Sequence, residues 1–335
     1  MNILITGAAG YIGTMLTSVL CRSKLECKIY GVDNFIYDQK SLSAGLEEVY
    51  PSYVLFEQDV TKPNKFYDEL IDMADIIIPL AGIVGMPACK KQPERSQAVN
   101  VDAIAYIVNK VAPHKTIIFP NTNSGYGNVP DGVCTEETPL KAISLYGRQK
   151  DKAEQIVRQH VNSVVFRLAT VCGASHRHRL DLLVNTMVYE AHTKGKIGVF
   201  DADANRNYIH IEDICSAFIY AINNIDVMRD NVYNLGNDSI NSTKGELANL
   251  ISSVFEDRNY GKIDITTMDG SDPDKRNYRV SSQKLCDCGW VAKLDLKTAV
   301  SDLICLYDGW ARMAIEAGPN GLEAMAKLQA MMTNV

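Results

Sequence analysis

The sequence predicts an α/β protein: a doubly wound parallel sheet followed by a smaller C-terminal α/β lobe. Three observations lead there. Short apolar runs alternate with amphipathic stretches through the first half, the pattern of parallel strands covered by helices on both faces. A glycine-rich turn follows the first of those runs directly. The length, 335 residues, suits two lobes at ~150 residues each.

In chain order, Asn2 to Thr6, Lys28 to Val32, Tyr53 to Phe56, Asp75 to Leu80 and Thr116 to Phe119 read as short buried strands. Tyr11 to Cys21 and Ala98 to Val111 carry helical patterns between them. Val164 to Leu168 adds one more sheet strand. Segments around 196–210, 231–235 and 262–268 are isolated strand candidates among helices. The expected organisation is a dinucleotide-binding domain over 1–170, its sheet partly completed by later segments, and an interleaved second lobe over 171–310. A helical extension over 311–335 follows, rich in Ala and Met and interrupted at Gly318-Pro319-Asn320-Gly321.

Composition excludes several classes. Hydrophobic residues at 46% and charged residues at 22% describe an ordinary globular core. A net charge of −6 gives no electrostatic footprint for nucleic acid. The longest apolar stretch, Ile76 to Cys89, falls short of the ~18 residues of a membrane span and holds two prolines and two glycines. The opening MNILITG has no basic n-region, and nine cysteines, an odd number, do not form a disulfide framework. A soluble, cytoplasmic protein without membrane or nucleic-acid partners is expected. No metal site is expected either: His176 and His178 lack a third ligand, and Cys286 and Cys288 lack the second pair that zinc needs.

The turn Gly7-Ala8-Ala9-Gly10-Tyr11-Ile12-Gly13 opens a helix directly after a strand. Glycines there permit a tight turn, close approach to a pyrophosphate and close helix packing, as in a Rossmann-type fold. The phosphates would meet the helix N-terminus, where free N–H groups and the dipole favour anions. Twenty residues after Gly13, at the end of the second strand, Asp33 can accept from an adenosine ribose and repel a 2′-phosphate, which favours NAD over NADP. Asp59 and Val60 stand where they could meet the adenine edge, with a turn or cap role for Asp59 as the alternative. Tyr146 and Lys150 are four residues apart and share one helix face. A phenol is a poor base at neutral pH, and a neighbouring ammonium with a positive nicotinamide would favour its phenolate.

These residues resemble the extended short-chain dehydrogenase/reductase family, in its NAD-dependent nucleotide-sugar epimerase and dehydratase branch. The resemblance runs from Met1 to about Leu303. It rests on the GxxGxxG pattern, the YxxxK pair Tyr146–Lys150, and Thr122 standing four residues before Tyr126-Gly127. It implies that Tyr146 is the base, that Thr122 holds the same substrate oxygen, and that Lys150 also binds the nicotinamide ribose. It adds Asn34, Leu80, Ala81, Gly82 and Asn100 to the cofactor residues. Asn123, Ser124, Arg179, Asn185, Arg206 and Arg276 become contacts for a GDP- or UDP-linked sugar, while Asp213 reads as a helix N-cap. Dehydratases of the branch follow the Thr with an Asp-Glu pair; Asn123-Ser124 stands here instead. The resemblance therefore implies oxidation or reduction of a nucleotide-diphosphate sugar at C4, as 4-epimerase or net C4 dehydrogenase. A 4,6-dehydratase and a non-catalytic NAD-binding scaffold remain the alternatives. The Pro120–Gly127, Arg179–Asn185 and Asp272–Arg276 stretches look most like GDP-heptose C4 dehydrogenases of bacterial capsule pathways. The branch also implies a homodimer, with Val101, Ile104, Ala105, Val108 and Val111 as an apolar stripe on an interface helix.

Overall fold

A computed structural model describes residues 1–129, 132–268 and 276–316, leaving aside the side chains of residues 41–44. Strands β1 (Asn2–Thr6), β2 (Lys28–Asp33), β3 (Tyr53–Glu57), β4 (Ile76–Pro79), β5 (Thr116–Thr122) and β6 (Ser163–Leu168) pair in parallel. Their alternation explains why they read as unbroken apolar runs. Ile3, Ile5, Ile29, Ile78 and Ile118 enter one core, and Leu4, Val32, Ile77, Ile117 and Phe119 enter the core on the opposite face.

Short strands follow in the second half: β7 (Thr170–Cys172), β8 (Lys196–Val199), β9 (Asn205–Arg206) and β10 (Tyr208–His210), then β11 (Asn231–Leu235), β12 (Ser242–Thr243) and β13 (Asp264–Thr267). The large sheet has the order β11-β6-β5-β4-β1-β2-β3. Strand order reverses between β1 and β4, which opens a crevice at their carboxyl ends. The segment 231–235 is thus no isolated strand: it pairs with β6 along Asn231↔Val164 to Leu235↔Leu168 and completes the sheet.

The second lobe has its own core, built where the helices Leu183–Lys194, Lys244–Asp257 and Leu296–Glu316 bury Val184, Val188, Leu247, Ile251, Val300 and Leu303. A capping box between Thr243 and Glu246 starts the middle helix. The third helix runs unbroken through the expected boundary at 310/311, because Trp310 and Ala314 still pack inward. Residues 317–335, including the expected interruption, lie outside the described residues.

Two local expectations are corrected. The helix expected from Ala98 begins as a π-helical turn, Ala98–Asp102, before the α-helix Ala103–Lys110. Asp213 does not cap its helix; His210 does, with its ring accepting from the Glu212 N–H. Asp213 lies within the first turn, and its carboxylate accepts instead from the Lys293 and Leu294 N–H groups, at 2.9–3.1 Å. Among the described residues, no helix is long and apolar enough to cross a membrane.

Candidate active site

The crevice at the β1–β4 switch point is lined by Gly7, Gly10, Tyr11, Ile12, Gly13, Asp33, Asn34, Val60, Leu80, Ala81, Gly82 and Asn100, with Tyr146 and Lys150 on the same wall. Backbone approach is so close that side chains are excluded. A Cβ on Gly7, whose φ is +69°, would lie 2.6 Å from the Ala81 nitrogen, and one on Gly13 would lie 2.4 Å from the Gly7 carbonyl. Gly10 caps the helix Tyr11–Arg22 without a side chain, so its first turn faces the crevice directly.

Asp33 is fixed before any ligand arrives. One carboxylate oxygen accepts from the Ala9 N–H at 3.1 Å, and the other from Phe35 N–H at 2.9 Å and Gln39 Nε2 at 3.1 Å. Burial raises its carboxyl above the usual range, against the pull of those N–H groups and the Arg177 charge. The Asp59 carboxylate accepts from the N–H and hydroxyl of Thr61 at 2.9 and 2.7 Å and bonds the side chain of Asn34, which lines the crevice with Gln58 and Val60.

Asn100 sits in the π-helical turn, a device found often at functional sites. Its carboxamide holds Ile83 by both backbone groups at 2.9 Å, and its Nδ2 also reaches Gln149 at 3.0 Å. Gln149 in turn donates to the Ser96 hydroxyl at 2.9 Å. The helix bearing Tyr146 and Lys150 is therefore tied to the loop after β4 that walls the crevice.

The Lys150 ammonium stands 3.9 Å from the centre of the Phe119 ring. Burial pushes it down to about 7, opposed by the charges of Glu154 and Asp151. Burial also pushes the Tyr146 phenol up to about 12, and the charges that pull it back belong to Arg179 and Arg276. Below this wall Arg167 and Glu154 form a buried ion pair at 2.7 Å. Glu154 also accepts from the Asn121 amide, whose oxygen takes the Thr122 N–H at 2.8 Å. Thr122 closes β5 with its hydroxyl 3.0 Å from that of Ser124, just past the crevice wall at Pro120 and Asn121. Asn123 and Ser124 are buried in the turn that follows.

The second-lobe residues divide. Arg179 lines the crevice and pairs with Asp181 through an Nε contact of 3.0 Å. Arg276 acts on Tyr146 through its charge. Arg206 is not on the crevice wall; its guanidinium donates to the carbonyls of Asn205, at 2.9 Å, and Arg276. Asn185 is fully buried, accepting from Gly173 N–H at 3.2 Å and donating to the Arg179 carbonyl at 2.9 Å. Both ends of its carboxamide thus hold backbone next to Arg179. The sequence reading missed Tyr37, Gln39, Arg95 and Arg177, which also line the crevice. Only fold proximity brings them there, since Arg177 sits in a stretch that reads as plain loop. Among the described residues no three metal-ligating side chains cluster.

A parallel sheet with this glycine turn at its switch point, and a Tyr–Lys pair on the same crevice, defines a dinucleotide-dependent short-chain dehydrogenase/reductase. The chain belongs to the NAD dependent epimerase/dehydratase family, whose model matches residues 3–236. It is an NAD-dependent enzyme of the extended kind, in a family of nucleotide-sugar epimerases and dehydratases. Among curated relatives, the CDP-paratose 2-epimerase of Salmonella typhi is 24% identical over 90% of this chain and 98% of its own. The UDP-glucose 4-epimerase of Dictyostelium discoideum is 25% identical over 70% of this chain and 76% of its own. In fold, the chain is similar to the UDP-glucuronic acid 4-epimerase of Bacillus cereus, solved with UDP-glucuronic acid and NAD (TM-score 0.79, 20% identity, covering 91% of this chain and 98% of that one). It is also similar to the dTDP-glucose 4,6-dehydratase of Bacillus anthracis, solved with NAD (TM-score 0.78, 23% identity, covering 92% and 97%).

Proposed function

We propose that this enzyme oxidises a nucleotide-diphosphate sugar at C4, as a 4-epimerase or a net C4 dehydrogenase, with Tyr146 as base. The observation that carries the reading is the Tyr146–Lys150 face opening on the same crevice as the glycine turn, while Asn123-Ser124 follows Thr122 where elimination would need carboxylates. NAD fits the crevice, given the backbone approach at Gly7 and Gly13 and the prepared carboxylate of Asp33, and when bound it supplies the hydride acceptor.

Tyr146 takes the proton of the C4 hydroxyl as the hydride leaves the carbon, and Thr122 hydrogen-bonds the same oxygen. Lys150 binds the nicotinamide ribose and, when charged, lowers the phenol's affinity for its proton. Arg179 and Arg276 hold the sugar's diphosphate with paired donors, Arg206 supports the Arg276 backbone, and Asn123 and Ser124 hydrogen-bond the sugar. The substrate favoured by the resemblance is a GDP-linked heptose; the curated 4-epimerase relative named above makes a UDP-linked hexose the competing choice. The enzyme works as a homodimer through the helix Ala103–Lys110 and the helix Leu145–Val157.

Incubation with GDP-linked and UDP-linked sugars, followed by NMR, tests the reading. A 4-keto or C4-inverted sugar with all its oxygens retained is the expected product. A 4-keto-6-deoxy sugar would show that water is lost, and would move the protein to the dehydratases.

A further inference from the structure

We propose that Arg177, carried by the second lobe, closes on the diphosphate of the bound dinucleotide opposite the N-terminus of the first helix. The inference rests on the NAD reading of the crevice. Loop 173–177 is stapled onto the first turn of the helix Tyr11–Arg22. The Tyr11 hydroxyl donates to the Gly173 carbonyl at 2.7 Å, the Ser175 hydroxyl donates to the Tyr11 carbonyl at 2.7 Å, and the Arg177 N–H donates to the Thr14 hydroxyl at 3.3 Å. From that anchor the Arg177 side chain runs along the crevice, 4% exposed, to place its guanidinium 5.3 Å from the centre of the Tyr37 ring.

Tyr37 comes from the opposite side. It belongs to the loop after Asp33, which turns back through two left-handed residues, Phe35 at φ 50° and Asp38 at φ 54°. The guanidinium thus lies on the crevice wall beside Tyr37, close enough to Asp33 for the two charges to act on each other. A dinucleotide with its phosphates at the glycine turn and its ribose at Asp33 would bring its diphosphate within reach of this side chain. Charge agrees with the geometry. Arg95, Arg177 and Arg179 line the crevice together with Lys150, cationic side chains suited to a dianion, while Asp33 and Asp181 act on the Arg177 charge. A planar fork of donors matches phosphate oxygens better than an ammonium does.

The test is binding, measured by calorimetry on the full chain without sugar, for NAD, ADP-ribose, ADP and, by competition, adenosine. Arg177→Ala should weaken NAD, ADP-ribose and ADP together by at least about tenfold and leave adenosine unchanged. Arg177→Lys should recover part of the loss, and serves as the folded comparison if the alanine variant is unstable. Equal loss for all four ligands would overturn the proposal and make Arg177 a nucleoside contact. Unchanged affinity for all four would make it lobe packing only. A wild-type chain that binds none of them would sink the NAD reading of the crevice instead.

Discussion

Tyr146 shows what a single side chain inherits from its surroundings. Its phenol is pushed up to about 12 by burial, so it holds its proton at neutral pH. Replacing it with Phe removes the base but not the ring, and kcat should fall by roughly 10²–10⁴-fold with nucleotide-sugar affinity retained. A variant turning over at a near-normal rate would exclude Tyr146 as base. Asp151 offers a second residue-scale test. Burial and then the Glu154 charge raise its carboxyl from 3.8 to about 6, so the folded chain binds that proton more tightly than the unfolded chain. The stability this contributes is full below pH 3.8 and is lost as pH rises through about 6. Asp151→Asn stays neutral throughout, so its Tm should gain on the wild type between pH 5 and pH 8, by roughly 2 °C; a gap independent of pH would refute the assignment. Gly7, Asp33 and Tyr146 were legible as residues because short spacings along the chain identify them. The hold of Asn185 on the loop was not: its partners, Gly173 and Arg179, are main-chain groups that only the fold brings to it.

At the scale of elements, the first strand, turn and helix form the most legible unit, since alternation, glycine spacing and helical periodicity all lie within about twenty residues. Its tightest point is Gly13, where a Cβ would lie 2.4 Å from the Gly7 carbonyl and 2.7 Å from the Ala8 carbonyl, both backbone atoms that cannot swing aside. Gly13→Ala should therefore push the helix from the turn and weaken NAD binding by at least about tenfold, read by calorimetry. Affinity equal to the wild type would mean that the turn has room the geometry denies. The strand Asn231–Leu235 was legible as a strand but not in its place. Its apolar run is the same for a small pair or a sheet edge, and only the crossover from β6 puts it beside Val164 to Leu168. The π-helical turn at Ala98–Asp102 left no periodic signal either, being one turn within a helical pattern.

At the scale of the whole molecule, the two lobes meet over the crevice, and the surface available for assembly is set by what their cores already use. Val101, Ile104 and Val111 of the expected dimer stripe are buried within the protomer, leaving Ala105 and Val108 half-buried on that helix. A dimer through this face must combine them with the neighbouring helix Leu145–Val157, and sedimentation at micromolar concentration should find it; a monomer would refute it. The redox balance is the remaining whole-molecule property. A 4-epimerase returns the hydride to the opposite face of the same sugar before release, so the cofactor ends each turnover as NAD. A net dehydrogenase lets the ketone go and retains NADH. Both use the same Thr122, Tyr146 and Lys150, so the difference lies in whether the sugar turns over faster than it leaves. With GDP-heptose, mixed in excess over the NAD-loaded enzyme without any added oxidant, absorbance near 340 nm should rise to about one equivalent per active site and stay there, as expected for net C4 oxidation. Conversion of many equivalents to the C4-inverted sugar with no lasting absorbance would instead assign the protein to the epimerases.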